Sequence, residues 1–314
     1  MQVAENITEN ITAGARSRWV DLDGPVHYLD FGGPEHGPVV VAVHGLGGSC
    51  LNWTAIAPLL TPHCRLLAPD LAGHGLTESL GRGTSVAANR LLLDRFLAAV
   101  TGQPAILLGN SMGGMVALLQ AAAVPASVAG LVLLDPALPL VPARLDPLVA
   151  ALFTAYALPG VGPFVVSRRR AADAASQVAM VLGLCCVDPA RVPEPVVAEH
   201  TELVRRREHV TGAARDFLTA ARSVRATVGV LRGRGYRRAI AAVPAPALLL
   251  HGARDRLVPV QAARAVARRR PSWSLVVLPD VGHVPQLEAP EDTAREVLVW
   301  FEGAGRGAVR LASP

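Results

Sequence analysis

Apolar residues fall along this chain in short runs of strand length, separated by glycine-bearing turns and by stretches of helical character. Pro38–Val43, Pro104–Leu108, Leu131–Leu134, Leu248–His251 and Leu275–Leu278 are such runs, almost without polar alternation. Continuous rather than alternating apolar runs of this length mark strands buried on both faces. Gly114–Ala123, lying between two of them, is rich in Ala and Leu and reads as a helix. Strand and helix therefore alternate, which predicts an α/β fold with a mostly parallel sheet covered on both faces. No charged residue occurs between Arg95 and Asp135. A run of that length could suggest a membrane span. Here Gly102, Pro104, Gly109, Gly113 and Pro125 cut it into strand, helix and strand, each too short to cross a bilayer, so it reads as buried core.

From about Pro136 to Ala242 the regular alternation stops. Pro147–Val166 is uncharged and rich in Leu, Ala and Val, broken by Pro159-Gly160 and Pro163, and it holds Phe153, Tyr156 and Phe164. Arg205–Ala221 has helical character with its charges on one side.

The chemistry begins at Gly109-Asn110-Ser111-Met112-Gly113, between an apolar strand and a helix. A turn that sharp forces its central residue into a strained backbone conformation and lifts the Ser111 hydroxyl clear of the sheet, a nucleophile elbow. A nucleophilic serine also needs an oxyanion hole, a base and an acid to orient the base. His44-Gly45-Leu46-Gly47-Gly48 follows the strand Pro38–Val43, so the N–H groups of Leu46 and Met112 are the candidate oxyanion donors. The acid expected is Asp255, after the strand ending at His251, and the base His283, after the strand Leu275–Leu278. The chain order Ser, Asp, His is that of one hydrolase architecture. His44 and His74 read as residues that tie loops by hydrogen bonds, and Asp70 as structural.

With the elbow, His44-Gly45, Asp70-Leu71-Ala72-Gly73-His74-Gly75, His251-Gly252-Ala253-Arg254-Asp255 and Gly282-His283-Val284-Pro285-Gln286-Leu287-Glu288 in register, the chain resembles the α/β-hydrolase superfamily over residues 18–303. The resemblance implies the α/β-hydrolase fold with an inserted helical cap over the active site. The expected division is a mobile segment at 1–17, core at 18–135, helical cap at 136–242, core again at 243–303, and a mobile tail at 304–314. Some relatives place the triad carboxylate after the preceding strand, which makes Asp135 the rival acid. Epoxide hydrolases and haloalkane dehalogenases of this fold carry an aspartate at the elbow, where this chain has Ser111. Gly109–Gly114 also looks like the carbon–carbon bond hydrolases of aromatic breakdown, but those have a tryptophan where Val284 stands.

Composition narrows the partners. The 30 basic residues are all arginine, beside abundant Ala, Gly and Pro, so the net charge of +5 reflects codon bias and is poor evidence for nucleic acid. The charge is uneven: Pro136–Ile240 carries 15 arginines against 8 acidic residues, the rest of the chain 15 against 17. An anionic substrate or an acidic lipid surface is the sharper reading of that excess, solvent-facing arginines the plainer one. Cys50, Cys64, Cys185 and Cys186 have neither metal-ligand nor redox-pair spacing. Residues 1–16 are polar with no hydrophobic signal core, which leaves Asn6 and Asn10 as accidental sequons and points to a cytoplasmic setting without stable membrane insertion. No metal or organic cofactor is called for, and the oligomeric state is open.

The reading is a serine hydrolase cleaving a carboxylic ester of a small to medium, largely apolar substrate through an acyl-enzyme on Ser111. The alternatives are a carbon–carbon bond hydrolase of a dienoic diketone, or a thioesterase, lactonase, acyltransferase or perhydrolase on the same triad. A third class is a non-catalytic ligand-binding protein on a hydrolase frame.

Overall fold

In the computed structural model, residues 14–139, 146–229 and 233–303 are described. The tail 304–314, the sequons and nearly all of the expected N-terminal segment lie outside them. The strands are β1 (Arg16–Asp21), β2 (Pro25–Asp30), β3 (Val39–Val43), β4 (Arg65–Pro69), β5 (Ala105–Asn110), β6 (Val128–Leu134), β7 (Ala247–Gly252) and β8 (Ser274–Leu278). They form one sheet in the order β1-β2-β4-β3-β5-β6-β7-β8. β2 runs antiparallel to both β1 and β4, and every other pair is parallel. β1 begins at Arg16, within the stretch 1–17 expected to be mobile.

Helices α1 (Ala57–Leu60), α2 (Val86–Phe96) and α3 (Met112–Ala123) precede β6. Between β6 and β7 come α4 (Pro147–Ala157), α5 (Val161–Arg170), α6 (Ala174–Cys185), α7 (Glu194–Arg207), α8 (Ala213–Val228) and α9 (Gly233–Ala242). After β7 follow α10 (Val260–Arg269), α11 (Pro285–Glu288) and α12 (Pro290–Gly303). The pleat divides the central strands between two cores. Val39, Val41 and Val43 of β3, with Leu107 of β5, pack beneath α2, α3 and α10, while Val40, Ala42 and Leu108 pack beneath α12 through Val297, Trp300 and Phe301. The uncharged run is thus the middle of the sheet and the helix that covers it.

Local signals set the helix ends. The Asp146 carboxylate accepts from the amides of Leu148 and Val149, with Pro147 in the first turn of α4, and Asp173 caps α6 through the Ser176 amide. α4 and α5 meet at 111°. Among the described residues no single helix is long and apolar enough to cross a membrane. The one helix expected over Arg205–Ala221 is two: α7 stops at Arg207 and α8 starts at Ala213, after Gly212 at φ 83°. That left-handed turn favours glycine and ends the helical register. α9 packs against α3, and its Tyr236 hydroxyl donates to the Ala137 carbonyl at 3.0 Å.

The closest backbone approach lies where α3 leaves the sheet. A Cβ on Gly113 would sit 1.9 Å from the Val43 carbonyl oxygen, and both are backbone that cannot swing away. Gly113→Ala is expected to lower stability by roughly 3 kcal/mol, seen as a reduced urea midpoint. A midpoint equal to that of wild type would mean that β3 and α3 separate without cost.

Candidate active site

Ser111 joins the end of β5 to the start of α3 at φ 53°, ψ −115°, outside the helical and extended regions. Its amide donates to the Leu134 carbonyl at 3.1 Å, and its carbonyl accepts from Ala137 at 2.9 Å and Met115 at 3.1 Å. Asn110, 2% exposed, donates through Nδ2 to the carbonyls of Leu134 (3.1 Å) and His283 (3.0 Å). That side chain ties the elbow to the histidine loop, a role its place in the motif did not disclose.

His283 and Asp255 come together from loops after β8 and β7. Asp255 Oδ2 lies 2.7 Å from His283 Nδ1, while Oδ1 accepts from the amides of Leu257 (2.7 Å) and Val258 (3.0 Å). Burial by itself would raise the Asp255 pKa, but the attraction and hydrogen bond of His283, with help from His251 and the Val258 amide, hold it below the usual carboxylate value. With Nδ1 engaged, Nε2 is the imidazole nitrogen left for Ser111. Both side chains, with Leu46 and Met112, line one cavity of about 510 Å³.

Asp135, the rival acid, lies within 4.8 Å of a His283 ring nitrogen but makes no hydrogen bond to it. It is fully buried at φ 44°, and its Oδ1 accepts from the Gly252 amide at 2.9 Å. Burial and the facing charge of Asp255 push its pKa well above the usual value, and its Oδ2 has no hydrogen-bond partner among the described residues. His251 stands behind the pair, with Nε2 2.9 Å from the Val258 carbonyl and 3.4 and 3.5 Å from Asp135 and Asp255.

The supporting loops are tied as their residue types suggest. His44 donates through Nδ1 to the Gly45 carbonyl at 2.8 Å and accepts at Nε2 from the Leu71 amide at 3.0 Å. His74 Nδ1 donates to the Ala72 carbonyl at 3.0 Å. Asp70 is fully buried and accepts from the Cys50 and Leu76 amides and from His27. Burial opposes its charge, yet the bond and charge of His27 and its further partners lower it to about 2. Glu288, also unassigned from sequence, accepts at Oε1 from the amides of Val187 (2.8 Å) and Asp188 (2.9 Å) and at Oε2 from Gly282 (2.8 Å).

Leu152, Phe153 and Tyr156 of α4 and Phe217 of α8 form an apolar wall of the cavity, whereas Phe164 points outward, 65% exposed. Among the described residues, His27–Cys50–Asp70 and Asp135–Asp255–His283 each bring three possible ligand atoms within 4.8 Å of one another. In the first, Cys50 is a buried thiol with its pKa pushed well up by desolvation and by Asp70, unlike a thiolate ligand.

The profile of the alpha/beta hydrolase family matches residues 40–296. A pimeloyl-[acyl-carrier protein] methyl ester esterase of Aromatoleum aromaticum is 32% identical over 82% of this chain and 95% of its own. The magnesium-chelatase 30 kDa subunit of Rhodobacter capsulatus is 30% identical over 93% of this chain and 95% of its own. The solved structure of a membrane phospholipase A, a bacterial virulence factor, superposes with a TM-score of 0.70 at 28% identity, covering 94% of this chain and 88% of that one.

The buried histidines make the fold acid-sensitive. Desolvation keeps His44, His74, His200 and His251 neutral, His74 down to about 3. In the unfolded chain each would protonate near about 6.5, so below that pH the unfolded state binds more protons and stability falls. Glu199, raised to about 7 by burial, and Asp135 act in the opposite sense, but four groups outweigh two. The Tm is therefore expected to drop between about pH 6.5 and 5; a Tm that rises over this range would contradict the neutral burial of these rings.

Proposed function

The chain belongs to the alpha/beta hydrolase family, and on that premise we propose a serine hydrolase that cleaves a carboxylic ester of a small to medium, largely apolar substrate. The observation that carries the proposal is Ser111 at positive φ, in one cavity with His283, whose Nδ1 is hydrogen-bonded to Asp255. The methyl ester esterase relative supports ester chemistry, and the apolar wall from α4 and α8 supports an apolar acyl or alcohol group.

In this mechanism His283 Nε2 takes the Ser111 proton as Oγ attacks the ester carbonyl. Asp255 holds Nδ1–H, fixing the tautomer and stabilising the imidazolium. The Leu46 and Met112 amides receive the tetrahedral oxyanion, Met112 from the first turn of α3, where the helix dipole adds positive potential. His283 returns the proton to the leaving alcohol, then activates a water that releases the acid. Asp135 stands beside Asp255 with its pKa raised and makes no hydrogen bond to the imidazole, so it has no proton-transfer part in these steps. The four free cysteines, all within the described residues, fit a reducing cytoplasm.

Two measurements test the reading. Hydrolysis of p-nitrophenyl esters from acetate to palmitate should fall by about 10⁴-fold or more in Ser111→Ala; equal turnover in both proteins would remove Ser111 as nucleophile, and products of carbon–carbon cleavage or acyl transfer would redirect the assignment. Asp255→Asn should lose roughly 10⁴-fold in kcat, whereas Asp135→Asn, at a residue that makes no hydrogen bond to His283 and keeps an oxygen to accept from the Gly252 amide, should stay within about 10-fold. The reverse order, with both variants folded, would move the acid to Asp135.

A further inference from the structure

Three of the arginines between β6 and β7 turn inward. Arg169 and Arg170, at the end of α5, and Arg207, at the end of α7, line the same cavity as Ser111 and His283. Their polar contacts are neutral. Arg170 donates to the carbonyls of Arg207 (3.3 Å) and Glu208 (2.9 Å), and Arg207 to those of Gly73 (2.7 Å) and Gly75. Arg169 lies 4.6 Å over the Phe217 ring. Glu208 is the one carboxylate among the described lining residues.

Clustered cations drawn away from water are costly unless an anion joins them. Burial lowers the Arg207 pKa and the charge of Arg170 adds to the effect, while the carboxylates of Asp70, Asp216 and Glu78 oppose it. The cluster is also close to the reaction centre. Phe217, under Arg169, packs against Gly47, beside the Leu46 amide. An acyl chain seated at Ser111 and running past Phe217 ends at the arginines.

We propose that Arg169 and Arg170, backed by Arg207, form an oxyanion subsite, so that the substrate is an ester whose apolar portion ends in a second, anionic group, a carboxylate or a phosphate. This rests on the esterase reading above. It accounts for an apolar cavity lined by three arginines that make no salt bridge among the described residues, a charge that a purely neutral ester would not use.

The test compares mono-p-nitrophenyl suberate, which has a free carboxylate, with p-nitrophenyl octanoate of equal chain length. The ratio of their kcat/KM values should favour the suberate in wild type and fall by roughly 10-fold or more in Arg169→Gln/Arg170→Gln, mainly through KM, as expected for loss of a charge-assisted hydrogen bond. It should fall with added salt as well. Arg169→Lys/Arg170→Lys should keep most of the preference, while Arg268→Gln/Arg269→Gln, an equal charge change on exposed residues of α10, should not alter the ratio. A ratio unchanged in the pocket variant, or lowered equally by the α10 variant, overturns the subsite. If wild type cleaves neither ester, the esterase reading fails and binding decides. Suberate or octyl phosphate should raise the Tm of Ser111→Ala and lose that effect once Arg169→Gln/Arg170→Gln is added. Stabilisation by suberate alone assigns a carboxylate, by octyl phosphate alone a phosphate, and by neither overturns the proposal.

Discussion

A single strained residue organises the centre of this protein. The φ, ψ of Ser111 costs on the order of 1–3 kcal/mol in an ordinary chain, and it persists because its neighbours leave no alternative. Its amide is bound to the end of β6, its carbonyl to Ala137 and Met115, and the next residue along β5, Asn110, is clamped to Leu134 and to the His283 loop. The adjoining strand β6 ends in a second strained residue, Asp135 at φ 44°, whose amide donates to the Leu250 carbonyl at 3.0 Å. The two strained positions lie at the same end of neighbouring strands in the fully buried middle of the sheet. There the backbone hydrogen bonds that would be lost on relaxation could not be replaced by water.

Burial has a second consequence beneath the imidazole. Two carboxyl groups, Asp135 and Asp255, lie side by side with little or no contact with solvent, and two charges there would repel across a low dielectric. The conflict is resolved by division of labour. Asp255, given two amide donors and His283, stays ionised. Asp135, given one amide and the Asp255 charge to face, has its pKa pushed well up. The two acids that the sequence left as rivals are therefore shifted in opposite directions in the fold, Asp255 down and Asp135 up.

What could be read from the residues alone was whatever depends on near neighbours. β3, β5, β6 and β7 were legible because strands buried on both faces are unbroken apolar runs, and β8, a half-buried edge strand, because Leu275–Leu278 is apolar throughout. β1 was not, because four of its six residues are exposed and Arg16 and Arg18 lie within it. β2 and β4 are short, and β2 carries polar His27 and two-sided burial that periodicity does not separate from a turn. The elbow, the histidine loop and Asp255 were legible as local motifs. Asn110, Glu288 and Arg207 were present in plain view, yet their partners at His283, Val187 and Gly73 are a hundred or more residues away, and no local pattern encodes such a pairing. The break of Arg205–Ala221 into α7 and α8 has the same origin. Arg207 is drawn to the Gly73–Gly75 carbonyls, and Gly212 supplies the turn that lets α8 start in a new direction.

Those long-range contacts also decide how the helices over the cavity relate to the sheet. The His283 amide donates to the Cys185 carbonyl at 2.6 Å, at the last residue of α6. Glu288 bonds the two amides that follow α6 and, with its other oxygen, the Gly282 amide next to the histidine. On the far side, Thr84 Oγ1 donates to the Asp216 carbonyl and the Val86 amide to Ser223 Oγ, fixing α8 to the start of α2. The helical segment is therefore fastened at both flanks, and one fastening is the histidine loop itself. A displacement of α6 would draw on the backbone of His283 and thereby on the direction of its imidazole. The same few hydrogen bonds therefore hold both the end of α6 and the loop that carries His283.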